Sequence, residues 1–199
     1  TAFVVDRGTP GFSASKKLEK YGCRSSDTVE LTFENVRVPD DHRVGDVNQG
    51  FYDTMKILDR GRISIAAMAL GLGRGALAMA LGYAKDRRAF GKAISEFQAI
   101  QWKLADAAVA LDAAELLIHR AATLCDEGQP YSLEAAMAKL WASEAATRVC
   151  NDALQIHGGY GYTREFDVER HLRDAKLCEI GEGTSEVQRM VIAKHLLRG

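Results

Sequence analysis

The sequence has almost no net charge: Lys and Arg number 26 against 27 Asp and Glu, a formal −1 over 199 residues. No global pull toward nucleic acid or an anionic membrane follows, so partners must be argued from local sites. Cysteine is sparse and scattered. Cys23, Cys125, Cys150 and Cys178 lack the close pairs of a zinc site or redox dithiol, and they read as reduced thiols of an intracellular protein. Long apolar runs are missing too: the longest, residues 63–73, is closed by Arg62 and Arg74, falls short of the roughly 18 residues that span a bilayer, and reads as a buried helix. The histidines, His42, His119, His157, His171 and His195, form neither HExxH nor a Glu-x-x-His repeat, so no metal site is expected. No GxGxxG follows a strand, which removes a dinucleotide-binding βαβ fold. An initiator Met and a leader segment are also absent, and the chain opens at Thr1 in a strand-like run, so further residues are expected before it.

What is present is a 47% hydrophobic chain, enough for one good-sized core or a main domain with a small appendage. Residues 1–50 read as β: a run over 1–6, a Gly/Pro/Ser loop over 8–15, then alternating Val29, Leu31 and Phe33. The alternation changes parity before Val36 and Val38, which predicts a turn or bulge at Glu34 and Asn35. Two or three such strands cannot bury a face alone. Residues 51–199 read as long helices broken at Phe90-Gly91-Lys92, over 127–130, over 157–161 and at Gly181-Glu182-Gly183, the pattern of a helical bundle. Ser95-Glu96-Phe97-Gln98 fits a capping box, and Phe97, Ile100, Leu104, Ala108 and Leu111 form one apolar stripe behind it. Ser132 opens a further helix, with Glu134 favouring its dipole. Ala and Gly are dense over 66–84 and 135–146, which lets helices approach closely but leaves less large-side-chain burial per helix, a difference that packing against other subunits could supply.

Four stretches can carry chemistry. Glu182 lies between two glycines ahead of a helix that Thr184 or Ser185 caps; such a loop aims a carboxylate into a cleft, or merely complements the dipole, worth about 0.3–1 kcal/mol, and spacing alone favours the second reading. Arg87-Arg88-Ala89-Phe90-Gly91-Lys92 gathers cations at a helix break, suited to a pyrophosphate, although a basic helix C-terminus is the more ordinary reading. Gln155-Ile156-His157-Gly158-Gly159-Tyr160-Gly161-Tyr162 lets backbone approach a ligand, or stops a helix, equally well. Asp59-Arg60-Gly61-Arg62 reads as a salt-bridged first turn whose spacing is uninformative.

Taken in order, Arg87-x-x-Phe90-Gly91 with Gln98 downstream, Gln155-x-x-Gly158-Gly159-x-Gly161-Tyr162, Arg173-Asp174-Ala175 and Glu182-Gly183-Thr184-Ser185-Glu186-Val187-Gln188-Arg189 resemble the acyl-CoA dehydrogenase family, most closely its short-chain and branched short-chain members. The resemblance implies a mainly α fold: a C-terminal four-helix-bundle-type domain over 51–199, preceded over 1–50 by the remnant of the family's middle antiparallel β domain. It implies FAD as cofactor and an acyl-CoA thioester as substrate, with Glu182 removing the pro-R α-proton while the β-hydrogen leaves as hydride, to give a trans-2-enoyl-CoA. By the same resemblance Arg87, Phe90 and Gln98 hold the pyrophosphate and adenine region of FAD. Thr184, Ser185 and Glu186 also touch the cofactor, and Gln155, Ile156, His157, Gly158 and Gly159 reach FAD in a neighbouring subunit. Asp59, Arg60, Gly61, Arg62 and Gly183 are implied to contact substrate. Some members carry their base at the position matched by Gly61; glycine there, with Glu182 retained, favours the loop base. A homo-oligomer, usually a tetramer, is implied, with an electron-transfer flavoprotein as electron acceptor and no membrane insertion. The compartment it implies is the cytoplasm if the protein is bacterial and the mitochondrial matrix if it is eukaryotic. An acyl-CoA oxidase on the same scaffold and a non-catalytic helical module are the competing readings, separated by peroxide production and by flavin absorbance.

Overall fold

The computed structural model describes residues 1–198. The chain divides into two compact units, Thr1–Leu58 and the remainder from Asp59. In the first unit β1 (Ala2–Phe3) pairs antiparallel with β4 (Arg43–Val44), and β2 (Phe12–Ala14) with β3 (Leu31–Phe33). The register sets Phe12 opposite Phe33, with ring centroids 5.0 Å apart, a cross-strand aromatic pair. The strand expected over 1–6 is shorter than its pattern, because only Ala2 and Phe3 find ladder partners. The parity break is there: β3 stops at Phe33, and Asn35 takes a left-handed φ of 51°. Phe3, Leu31, Phe33 and Val44 remain exposed, as expected of strands too few to bury a face.

Helix α1 (Gly50–Asp86) runs through the division and supplies one wall of the helical unit. By length and composition it is apolar enough to cross a bilayer. Yet Ala66, Ala69, Leu70, Ala76, Ala80 and Ala84, which recur at helical spacing, lie buried in the protein core. Gly73 marks a close crossing: a Cβ there would come within 2.6 Å of the Leu111 side chain and 3.5 Å of the Ala146 backbone. A short hairpin, β5 (Arg88–Ala89) and β6 (Lys92–Ala93), turns on Phe90 and Gly91, both at positive φ as a two-residue turn of this hand requires. Helices α2 (Gln98–Asp126), α3 (Ser132–His157), α4 (Val168–Ile180) and α5 (Ser185–Leu196) follow. Each of the four helix breaks read from the sequence is a break here.

Helix α3 is central, packing against α2, α4 and α5, and its buried face is mostly alanine: Ala135, Ala138, Ala142, Ala145, Ala146 and Ala153. Small side chains let axes approach closely. Two local expectations shift. Ser95 does not cap α2; it lies in a 3-10 turn over Ile94–Glu96, where the Glu96 carboxylate accepts from the Ala93 N–H at 3.1 Å, and Phe97 precedes the helix without a side-chain cap. The α2 stripe also turns by one residue: Ile100, Leu104 and Leu111 pack inward, but Ala107 rather than the exposed Ala108 is buried among them. Ser132 opens α3, and Glu134 in its first turn accepts from Arg120 at 2.9 Å.

Candidate active site

The α4–α5 connection is short and strained. Gly181 is extended, Glu182 adopts a left-handed φ of 55° and Gly183 a φ of 89°, before Thr184 returns to extended backbone as the cap of α5. The Thr184 hydroxyl accepts from the Val187 N–H at 3.4 Å, so Thr184 rather than Ser185 is the cap. The Thr184 hydroxyl and the residue's own N–H also hold the exposed Glu186 carboxyl below its usual range. A non-glycine residue in left-handed backbone costs on the order of 1–3 kcal/mol and persists only where its surroundings hold it. Here they do. The Gln188 side-chain amide donates to the Glu182 carbonyl at 3.2 Å and to the Gly183 carbonyl at 2.9 Å. From α3, the Lys139 ammonium donates to the same Gly183 carbonyl at 2.7 Å.

The loop delivers the Glu182 carboxylate onto α1 at Gly61. A Cβ at residue 61 would lie 2.5 Å from one carboxylate oxygen and 2.9 Å from the carboxyl carbon, so the acid occupies the space a side chain there would need. The two positions weighed for a base, 61 and 182, therefore converge in space. Next to Gly61, Arg62 is buried and ion-paired through its guanidinium with Asp59, and Asp59 also accepts from the Ser132 hydroxyl at 3.0 Å. Arg60 is exposed. Among the described residues, three buried polar atoms lack protein partners: Arg62 Nε, Ser185 Oγ and Gln188 Oε1. Arg62 adjoins Gly61, on which the Glu182 carboxylate rests, while Ser185 and Gln188 lie in the first turn of α5, directly after the glutamate loop in sequence. Unpaired buried polar groups are uncommon in a native fold and call for an explanation.

A second group assembles at the far end of α1 and α3. A pocket of about 470 Å³ is lined by Tyr83 and Arg87 from α1 and its end, Ile94, and the run Ile156, His157, Gly158, Gly159 and Tyr160. The Arg87 guanidinium stands 5.6 Å from the Tyr160 ring centroid. His157 is buried, stacks on Tyr83 at 4.3 Å and contacts the Ala153 carbonyl through Nδ1 at 2.7 Å, so its ring serves packing. Gly158, at φ 60°, leaves the helix in a conformation that favours glycine. Of the sequence-predicted residues here, Arg87 and 156–159 come together. Gln155 is exposed, Gln98 is the exposed first residue of α2, and Phe90 stands 95% exposed at the hairpin tip with its ring T-shaped to that of Phe97; none of the three lines the pocket. Residues 61 and 83 of α1 lie roughly 30 Å apart at 1.5 Å per residue, so the two groups are separate places on one chain.

Sequence reasoning missed Lys139, Gln188, Tyr83 and Ile94. The signal for Lys139 was available: it is the one charge in the run Ala135-Ala136-Met137-Ala138-Lys139-Leu140, where a solvated lysine would not be expected.

Comparison with known proteins now bears on this arrangement. The family profile described as acyl-CoA dehydrogenase, C-terminal domain, matches residues 48–197. The chain is 54% identical to the Bacillus subtilis protein named probable acyl-CoA dehydrogenase YngJ, over all of this chain and 52% of that protein. It is 52% identical to the human mitochondrial short-chain specific acyl-CoA dehydrogenase, over all of this chain and 48% of that one. It superposes on butyryl-CoA dehydrogenase from Megasphaera elsdenii with a TM-score of 0.95 and 48% identity, covering 98% of this chain and 51% of the other. The chain thus spans about half the length of the relatives it matches. Because the profile over residues 48–197, the sequence identity over the whole chain and the fold over 98% of it agree, the chain belongs to the acyl-CoA dehydrogenase family.

Proposed function

We propose that this chain supplies the base and part of the cofactor site of an FAD-dependent acyl-CoA dehydrogenase acting on short-chain acyl thioesters. The observation that carries the reading is the Glu182 carboxylate, held by a strained, doubly hydrogen-bonded loop and seated on bare Gly61. A carboxylate so fixed removes an α-proton without reorganising, and the orientation it needs is already present before substrate arrives. The Glu182 oxygen takes the proton, and the β-hydrogen departs with its electron pair, leaving the double bond of the 2-enoyl thioester. Bound FAD supplies the hydride acceptor for that pair. Buried Arg62, with Nε unpaired and its charge balanced by Asp59, offers a donor beside Gly61 for an oxygen of the bound thioester.

The residues present fit the cofactor. The pocket at Arg87 presents a guanidinium beside Gly158 and Gly159, and cationic side chains with accessible backbone suit a pyrophosphate. Since that pocket and Glu182 stand roughly 30 Å apart along α1, further than one dinucleotide bridges, the nucleotide end and the reacting end of one FAD are served by different chains. The shared site makes the protein an obligate homo-oligomer, most simply a two-fold dimer or a tetramer built from one. Exposed Trp102, Val109 and Leu116, seven residues apart along α2, are the kind of uncovered apolar stripe that such assembly buries. Solved structures at TM-scores of 0.96 include one titled for PigA with FAD and proline and one titled for an electron transferring flavoprotein of Acidaminococcus fermentans. They support FAD here and an electron-transfer flavoprotein as the acceptor that reoxidises it.

The test uses the complete flavoprotein that contains this chain. Butyryl-CoA is added anaerobically to wild type and to Glu182→Gln, and flavin absorbance is followed. Bleaching in wild type that is lost in the variant, with tight binding of an unreactive acyl-CoA analogue retained, is the expected result. Equal bleaching in both overturns Glu182 as the base. A protein that binds no flavin overturns the enzyme.

A further inference from the structure

The glutamate loop is gripped from two sides, and one grip comes from an unusual place. Lys139 lies two turns into α3 and is 0% exposed, among the largest fully buried side chains of the described residues. A lysine there carries its charge into an alanine-lined core, a costly arrangement unless the charge does something specific. Burial holds its ammonium below the usual lysine range, opposed by the nearby Cys178, Glu179 and Glu186 and reinforced by Arg62. Its hydrogen bond goes to a backbone carbonyl, that of Gly183, at 2.7 Å. That carbonyl follows directly on Glu182, and both residues are left-handed. Fixing it fixes the Gly183–Thr184 peptide, one beyond the base, while Gln188 fixes the Glu182–Gly183 peptide through the Glu182 carbonyl, so the two together hold the backbone from which the Glu182 side chain leaves.

We infer that Lys139 is a positioning residue for the proposed base, acting with Gln188 to lock the Glu182–Gly183 backbone so that the carboxylate rests on Gly61. The assignment rests on the reading of Glu182 as the base but adds a residue that motif reasoning does not reach. The two donors divide the work. Gln188 belongs to α5, the helix the loop opens, and moves with it. Lys139 belongs to α3, which packs against α2, α4 and α5, and so refers the loop to the rigid centre of the helical unit. A base held only by its own helix would follow any shift of α5, whereas one also tied to α3 does not. A serine follows one helical turn later: the Ser143 hydroxyl donates to the Lys139 carbonyl at 2.8 Å, completing a buried polar strip on this face of α3.

Lys139→Met tests the inference, since it keeps an unbranched chain of similar length and removes the donor and charge. In this chain, amide hydrogen exchange over residues 182–185 is expected to quicken by about tenfold or more while the protection of α3 stays as in wild type. In the complete flavoprotein, kcat for butyryl-CoA is expected to fall about tenfold to a hundredfold, with KM, flavin content and unreactive-analogue binding near wild type, the mark of a misplaced rather than a missing group. Gln188→Leu is expected to act in the same direction, and the double variant to lose less than the product of the two. Unchanged loop exchange, or a loss confined to KM, overturns the assignment. If Lys139→Met fails to fold, the wild-type chain still decides: NMR is expected to show Lys139 ammonium protons shielded from solvent and coupled to the Gly183 carbonyl carbon, and a freely exchanging ammonium refutes it. The exchange and NMR measurements need neither flavin nor thioester, so failure of the proposed enzyme activity is told apart from failure of the lysine clamp.

Discussion

Gly61→Ala is the sharpest perturbation of the site, because one added methyl group meets the proposed base directly. The new Cβ would lie 2.5 Å from one Glu182 oxygen, 2.9 Å from its carboxyl carbon and 3.3 Å from the other oxygen. Ordinary contact requires the carboxylate to retreat by about 1 Å, given optimal separations near 3.5 Å. The backbone cannot supply the movement, since Gln188 and Lys139 tie both carbonyls of the loop. The side chain must therefore rotate away. Stability changes little: alanine gains up to about 1 kcal/mol over glycine inside a helix, and an off-rotamer glutamate returns a similar amount. Activity is affected far more, because a misplacement of about 1 Å costs on the order of a hundredfold in rate. The expected outcome is a urea unfolding midpoint near wild type, measured on this chain, with flavin bleaching by butyryl-CoA slowed about a hundredfold in the complete flavoprotein. Bleaching within about threefold of wild type would refute the claim that Glu182 reacts from where it rests on residue 61.

Three further outcomes rest on local physics. Glu182→Gly removes a non-glycine residue from left-handed backbone, a strain of about 1–3 kcal/mol, partly cancelled by the larger unfolded-state entropy of glycine; denaturant unfolding is expected to show a net gain of about 1 kcal/mol beside complete loss of dehydrogenation, and a loss of stability contradicts the strain argument. Burial pushes the Cys150 thiol from 9.0 to about 12, with nearby Cys178 and Asp174 adding to it. The folded pKa lies above the unfolded one, so this contribution is whole below pH 9.0 and is lost as pH rises toward 12, when the unfolded thiol ionises and the native one does not. Wild type is expected to lose stability faster than Cys150→Ala across that window, and parallel slopes refute it. Native protein is also expected to expose Cys23 and Cys125 to a thiol reagent while shielding Cys150 and Cys178.

The helices were legible because they are long and their breaks are chemical: glycine at 91, 128, 158 and 181 interrupts patterns that otherwise persist for many turns. Capping was less legible, since Ser95 and Glu96 satisfy a helix-start pattern that a 3-10 turn also satisfies. The α2 stripe slipped by one residue because Ala107 and Ala108 are identical in kind, and only the neighbouring helix decides which faces inward. In the site, motif order pointed to Glu182, Arg87 and the 156–159 run, but spacing could not say which of them meet.

The order and type of the elements, and the family to which the chain belongs, were determined by the sequence itself, because periodicity, glycine punctuation and motif residues are local properties of the chain. Tertiary structure alone decided that Glu182 comes to rest on Gly61, a residue about 120 positions away, and that Lys139 turns inward to hold the Gly183 carbonyl. It also decided that Arg87 joins residues 156–159 while Phe90 and Gln98 stand apart. These are outcomes of helix packing: where two alanine-rich faces meet fixes which side chains share space, and no one-dimensional pattern encodes that meeting.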